Sequence, residues 1–135
     1  MLSFGSKVFR FNRPKQLNSL NLPMVRLLTP KLILAEQTSR VIFLEGTGPK
    51  AFCAGGDVIS VLDDRLSDVG KNFFKEEYQL NHLLGTSKTA IIAILNGITM
   101  GGGVGLSVHG RFRIATENTL FAMPETAIGF FPDVG

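Results

Sequence analysis

Three consecutive glycines, Gly101-Gly102-Gly103, separate two apolar stretches: Thr89-Ala90-Ile91-Ile92-Ala93-Ile94-Leu95 before them and Val104-Gly105-Leu106-Ser107-Val108 after. The first run reads as a strand buried on both faces, as in a parallel sheet, and the second as the start of a buried helix. A strand, a bare turn and a helix in that order constrain the chain to an α/β architecture. Without Cβ atoms the turn's amide N–H groups can approach a ligand closely, and the carboxyl ends of strands are where open α/β sheets bind their ligands. A glycine turn can equally serve only to let a helix pack tightly on a sheet, so the turn alone does not decide.

Other features narrow the class. At 135 residues, 44% hydrophobic and 19% charged, the chain suits one globular domain with a real core. Its longest apolar run is far below the ~20 residues of a membrane span. One cysteine, Cys53, excludes an internal disulfide, and with only two histidines no ordinary zinc site can be assembled, so no metal is expected. Net charge is +3 with the basic residues dispersed, which predicts neither a nucleic-acid nor a membrane partner but suits a phosphorylated small molecule. No Asp or Glu precedes Glu36, whereas Lys7, Arg10, Arg13, Lys15, Arg26 and Lys31 all do. Basic, acid-free N-termini characterise mitochondrial transit peptides, so residues 1–6 read as a leader remnant at most, with one domain over 7–135.

Lys7-Val8-Phe9-Arg10-Phe11 alternates like a half-buried strand and ends at Asn12-Arg13-Pro14. Asn21 caps a helix with Pro23 in its first turn and Met24, Leu27, Leu28, Leu32 and Ala35 at helical spacing, which Pro30 is expected to kink or split. Val41 to Leu44 is a short strand closed by Gly46-Thr47-Gly48-Pro49, giving β-α-β order. A second small-residue turn, Ala54-Gly55-Gly56, precedes Asp57, which is placed to cap a helix through Val58, Val61 and Leu62. The next helix, about 70–84, carries Phe73, Phe74, Glu77, Tyr78, Leu80, Asn81 and Leu84. Glu77 lies among aromatics, an odd place for a charge, unless it is a rim residue paired with lysine. Arg111 to Thr116 and Thr119 to Ala122 read as strands, followed by carboxylates eight residues apart in Pro124-Glu125-Thr126 and Phe131-Pro132-Asp133. There is no internal sequence repeat.

Several familiar motifs fail. A dinucleotide fingerprint needs glycine at Val108, a P-loop needs Gly-Lys-Ser/Thr, and a nucleophile elbow on Ser107 needs glycine where His109 stands. Residues two apart on a helix point in different directions, so Ser107 and His109 read as structural. Cys53, among Ala and Phe, reads as a small buried hydrophobe and not a nucleophile.

The two glycine turns, the strand between them and the Pro-Glu-Thr segment together resemble the crotonase (enoyl-CoA hydratase/isomerase) superfamily, most closely its 3-hydroxyisobutyryl-CoA hydrolase branch. The resemblance rests on Asn12-Arg13-Pro14, Leu17-Asn18-Ser19-Leu20, Ala51-Phe52-Cys53-Ala54-Gly55-Gly56-Asp57, Phe73-Phe74-Lys75-Glu76-Glu77-Tyr78, Gly97-Ile98-Thr99-Met100-Gly101-Gly102-Gly103-Val104-Gly105 and Phe121-Ala122-Met123-Pro124-Glu125-Thr126. It implies an α/β fold of repeated ββα units in a right-handed spiral, here ending short of the family's C-terminal half. It also implies an acyl-CoA substrate, with CoA as part of the substrate and no separate cofactor, and leaves a homo-oligomer open.

In the family the thioester oxygen sits between two backbone amides, which map to Gly56 and Gly102; preorganised donors of this kind are worth about 10²–10³ in rate each. Hydratases of the family carry one glutamate two residues after the last of the three glycines and a second in the Pro-Glu segment. Here the first position is Gly105, which disfavours hydration. The hydrolase branch pairs the Pro-Glu glutamate with an aspartate eight residues on, matching Glu125 and Asp133. The resemblance gives Glu125 the attack on the thioester or the activation of water, Asp133 the handling of protons or orientation of water, and Glu77 a place in the substrate site beside the acyl hydroxyl. It thus implies hydrolysis of 3-hydroxyisobutyryl-CoA, in valine breakdown and in mitochondria. The alternatives are another acyl-CoA hydratase or isomerase activity, or a non-catalytic fragment kept for CoA binding or assembly.

Overall fold

A computed structural model describes residues 5–59 and 69–134. In chain order the elements are β1 (Gly5–Phe11), α1 (Leu22–Thr38), β2 (Ser39–Gly46), β3 (Ala51–Cys53), α2 (Val69–Thr86), β4 (Ala90–Leu95), β5 (Ile98–Met100), α3 (Gly102–Val108), β6 (Phe112–Ala115) and β7 (Leu120–Ala122), with short 3-10 turns at Pro14–Gln16 and Glu125–Ile128. Gly5 and Ser6, read from sequence as leader, pair with Ser39 and Val41 in β1. The helix expected after Asp57 falls mainly outside the described residues, Val61 and Leu62 included.

After β1 and β2, which pair directly, consecutive strands do not pair with each other. β1, β2, β4 and β6 form one parallel sheet in that order, and β3, β5 and β7 form a second. Each strand pair therefore splits between the sheets before a helix returns the chain, giving β2-β3-α2, β4-β5-α3 and then β6-β7. The ββα unit recurs in structure although the sequence shows no repeat, because each copy meets different neighbours and needs only the pattern of apolar positions.

Sequence expectations hold for most elements and fail informatively for some. Asn21 Oδ1 accepts from Met24 N at 3.0 Å, capping α1 as expected. The buried stripe of α1 is Leu22, Val25, Leu28, Leu32 and Ala35; Leu27 is 61% exposed, so the face is rotated from the one expected. Pro30 does not split α1, which runs through it from Leu22 to Thr38. Pro30 and Arg26, whose carbonyl loses its helical donor, both lie on the exposed side, so the unpaired carbonyl is not sealed in the core. Across the helix pair, Arg26 Nη2 lies 2.7 Å from Glu76 Oε1.

β4 is not buried on both faces. Ile91, Ala93 and Leu95 are buried and alternate with half-buried Ala90, Ile92 and Ile94. The inner set joins Ile42 and Leu44 of β2 in the core with Phe52, Phe73, Leu80 and Leu106. The outer set shares its face, by register, with Phe112 and Ile114 of β6, which are 51% and 48% exposed. β1 and β6 lie at the sheet edges, so they are more exposed than their alternation suggested.

The loop after β1 is held by Asn18, which is fully buried with a left-handed φ of 57°. Its Nδ2 donates to Ala51 O at 2.8 Å and Thr47 O at 3.1 Å, and its Oδ1 accepts from Arg13 N at 3.0 Å. Asparagine tolerates this conformation better than other residues with a Cβ. Asn18→Ala loses these bonds and retains the strain, so urea denaturation should show a loss of about 3 kcal/mol. Asn18→Gly, free of the strain, should lose less.

Candidate active site

The two glycine turns meet at the carboxyl ends of β3 and β5. Gly55 has a φ of 114°, and a Cβ there would sit 3.4 Å from Met100 O. A Cβ on Gly102 would sit 3.3 Å from Gly56 N and 2.6 Å from Glu77 Oε1. Glycine is therefore required for two main chains to approach this closely. Among the described residues neither Gly56 N nor Gly102 N donates to another protein group. Both amides border a pocket that Glu77, Glu125 and Asp133 also line, walled by Phe73, Phe74 and Phe131. The structure thus brings together all five residues singled out from sequence.

The first turn is locked from below. Arg13 Nη2 contacts Asp57 Oδ2 at 2.8 Å and its Nη1 donates to Ser19 O at 2.7 Å. Leu20 N donates to Gly55 O and Asp57 N to Leu20 O, each at 2.8 Å. These bonds tie the loop following β1 to the turn on both sides of Gly56.

Glu77 is 3% exposed, the consequence of facing inward from α2 between Phe73 and Leu80. The alternative of a rim charge paired with lysine is excluded. Burial, and then the negative charges of Asp133 and Glu125, push its carboxyl up to about 7. Glu125 opens the turn after Pro124; its Oε2 is buried without a hydrogen-bond partner, and its Oε1 lies 2.8 Å from where a Cβ on Gly101 would stand. Gly101 has a φ of 47°, so a side chain there is opposed by both backbone and Glu125. Asp133 accepts a hydrogen bond from the Tyr78 hydroxyl. The ion pairs among described residues are Arg10 with Glu45, Arg13 with Asp57 and Arg26 with Glu76, so none neutralises these three carboxyls. Nor, among the described residues, does any group of three or more His, Cys, Asp or Glu suit a metal ion.

Remaining candidates have structural employment. Cys53 is fully buried and its thiol is pushed up to about 12 by desolvation, which leaves no reactive thiolate. Ser107 Oγ donates to Val104 O at 2.9 Å, and His109 Nε2 lies 2.6 Å from Val134 O, so the two are not a catalytic pair. At Gly105 a Cβ would meet Val134 Cβ at 2.8 Å and Asn81 Nδ2 at 2.9 Å, leaving no room for a carboxylate. Tyr78 was not singled out for a role from sequence. Its partner lies 55 residues away, and no spacing rule connects them.

The sequence model of a family described as enoyl-CoA hydratase/isomerase matches residues 6–135. A mitochondrial 3-hydroxyisobutyryl-CoA hydrolase of Xenopus tropicalis is 58% identical over 135 residues, covering 95% of this chain and 34% of the relative. The human protein of that name is 54% identical over 132 residues, with 95% and 34% covered. The chain thus spans about a third of these curated relatives. Among solved structures, a carnitinyl-CoA dehydratase from Mycobacterium thermoresistibile superposes with a TM-score of 0.90 at 39% identity, covering 94% of this chain and 38% of that one. An enoyl-CoA hydratase from Rhodobacter sphaeroides does so with a TM-score of 0.86 at 35% identity, covering 95% and 39%.

A carboxyl whose folded-state value is raised binds its proton more tightly in the folded chain. Its stabilising contribution is complete below the unfolded value of 4.5 and is lost as pH rises through about 7. Stability should therefore fall over that interval in the parent and fall less in Glu77→Gln. By pH 8 the variant should be the more stable, by on the order of 2–3 kcal/mol in denaturant titrations, with little difference at pH 4.

Proposed function

The chain belongs to the enoyl-CoA hydratase/isomerase family, and from that premise we propose that it forms the carbonyl-activating part of a 3-hydroxyisobutyryl-CoA hydrolase. The observation that carries this reading is the carboxyl of Glu125, which lines the pocket bordered by the amides of Gly56 and Gly102 and whose Oε2 is buried without a hydrogen-bond partner. Buried polar atoms left unpaired in a folded protein need an explanation, and a reacting group supplies one. The names of the similar hydrolases support the substrate and a mitochondrial location, and a role in valine breakdown is consistent with that substrate.

In this reading the thioester oxygen lies between Gly56 N–H and Gly102 N–H, which stabilise the negative charge that develops as the carbonyl carbon is attacked. Glu125 takes the proton from the water that attacks that carbon, or itself attacks to form an anhydride that water then splits, releasing the acid and restoring the carboxylate. The carbon–sulfur bond breaks, and the CoA sulfur leaves with a proton that Asp133 relays. Glu77 is available in its protonated form to donate to the 3-hydroxyl of the acyl group, which would favour this acyl chain over the unsubstituted one. No cofactor enters beyond the CoA of the substrate itself. Hydration is disfavoured because Gly105 offers no second carboxylate and its surroundings admit none.

The test is thiol release from 3-hydroxyisobutyryl-CoA, measured for the 135-residue chain and for a chimaera carrying it in place of the matching third of the Xenopus tropicalis relative. The chimaera should release CoA, and Glu125→Gln should lower kcat by roughly 10²–10⁴-fold. A folded chimaera that binds CoA but releases nothing would overturn the hydrolase reading in favour of a binding scaffold.

A further inference from the structure

Asp133 sits in a segment with no regular secondary structure, and among the described residues 131–134 make no backbone–backbone hydrogen bond. A group that must manage protons beside a reacting carbonyl cannot be left to such backbone, since misplacement by about 1 Å can cost 10²-fold in rate. The segment is held by side chains from two helices instead. From α2, the Tyr78 hydroxyl donates to Asp133 Oδ2. At the end of α3, His109 Nε2 lies 2.6 Å from Val134 O, and because a carbonyl can only accept, this nitrogen carries the proton. Val134 itself is 4% exposed and seats its side chain over the bare Cα of Gly105.

We propose that Tyr78 and His109 are positioning residues that together clamp Asp133 in its working orientation. The inference rests on the role given to Asp133 above. Two anchors one residue apart fix both the carboxyl and the main chain that bears it, whereas either alone leaves the segment free to turn about the other. The Tyr78 hydroxyl is pushed up to about 12 by desolvation and by Asp133, so it remains a donor over the working pH range. Both anchors are well exposed, Tyr78 at 42%, so replacing either removes a hydrogen bond without opening the core.

In the chimaera, Tyr78→Phe and His109→Ala should each lower kcat about 10-fold or more with KM nearly unchanged. His109→Gln, which can still donate an N–H at similar reach, should recover most of the loss. In an Asp133→Asn background neither substitution should cost anything further, because both act through that carboxyl. Circular dichroism and CoA affinity establish that each variant is folded. If Asp133→Asn collapses kcat while Tyr78→Phe and His109→Ala leave it intact, or if their losses multiply with that of Asp133→Asn, the clamp is overturned and the role of Asp133 stands. If Asp133→Asn itself retains full kcat, that role fails and the clamp fails with it. Absence of recovery in His109→Gln removes His109 from the clamp.

Discussion

Where Gly55-Gly56 meets Gly101-Gly102, main chain packs on main chain with no side chain between them, and most of the molecule is arranged to keep those two turns in register. A Cβ on Gly103 would sit 2.1 Å from Cys53 O, so even the residue behind the turn is pressed against the opposing strand. The interaction has no slack: interiors are packed like organic crystals, and an added methyl must displace something. This is why the second sheet, made of very short strands, can still locate two amides accurately. The strands need only deliver their ends, and contact between the turns sets the final spacing.

Against that rigid frame, the carboxyl arrangement is costly. Glu77, Glu125 and Asp133 share one pocket, and no cation of the described residues pairs with them. Like charges packed together make the most buried carboxyl hard to ionise, and Glu77 is the one driven upward, to about 7. A site that sacrifices stability in this way gains a carboxyl, that of Glu77, able to hold or release its proton near neutral pH. The same residues in a purely structural role would have been neutralised by an arginine, as Arg13 neutralises Asp57 nearby.

The sequence made the backbone part of this site legible and the side-chain fixings much less so. Glycine triplets and small-residue turns announce close approach because no other residue serves there, and the spacing from Gly102 to Glu125 and Asp133 carries the family resemblance. Pro30 does not split its helix, since its effect depends on which side faces water, and no propensity encodes that. Leu27 misled for a similar reason: a helix with apolar residues on several sides does not show which face the sheet will take. The resemblance quoted Asn18 within a motif, but its bonds to Ala51 and Thr47 join segments distant along the chain. Tyr78 and His109 are ordinary in their own helices and acquire meaning only from a loop that folds back over them.

The splitting of successive strands between two sheets has a kinetic side. Every strand pairing among the described residues is parallel, so none can form as a local hairpin. Each must wait for an intervening connection to close, and non-local pairings of this sort slow folding. Among the described elements the helices, α1 and α2 above all, can start from local contacts. The amides of Gly56 and Gly102 come from successive turns of the winding, so they face each other only after the second sheet has begun to assemble. Ligand-binding geometry is thus a late product of folding, and a partly wound chain would hold intact helices with no pocket between its turns.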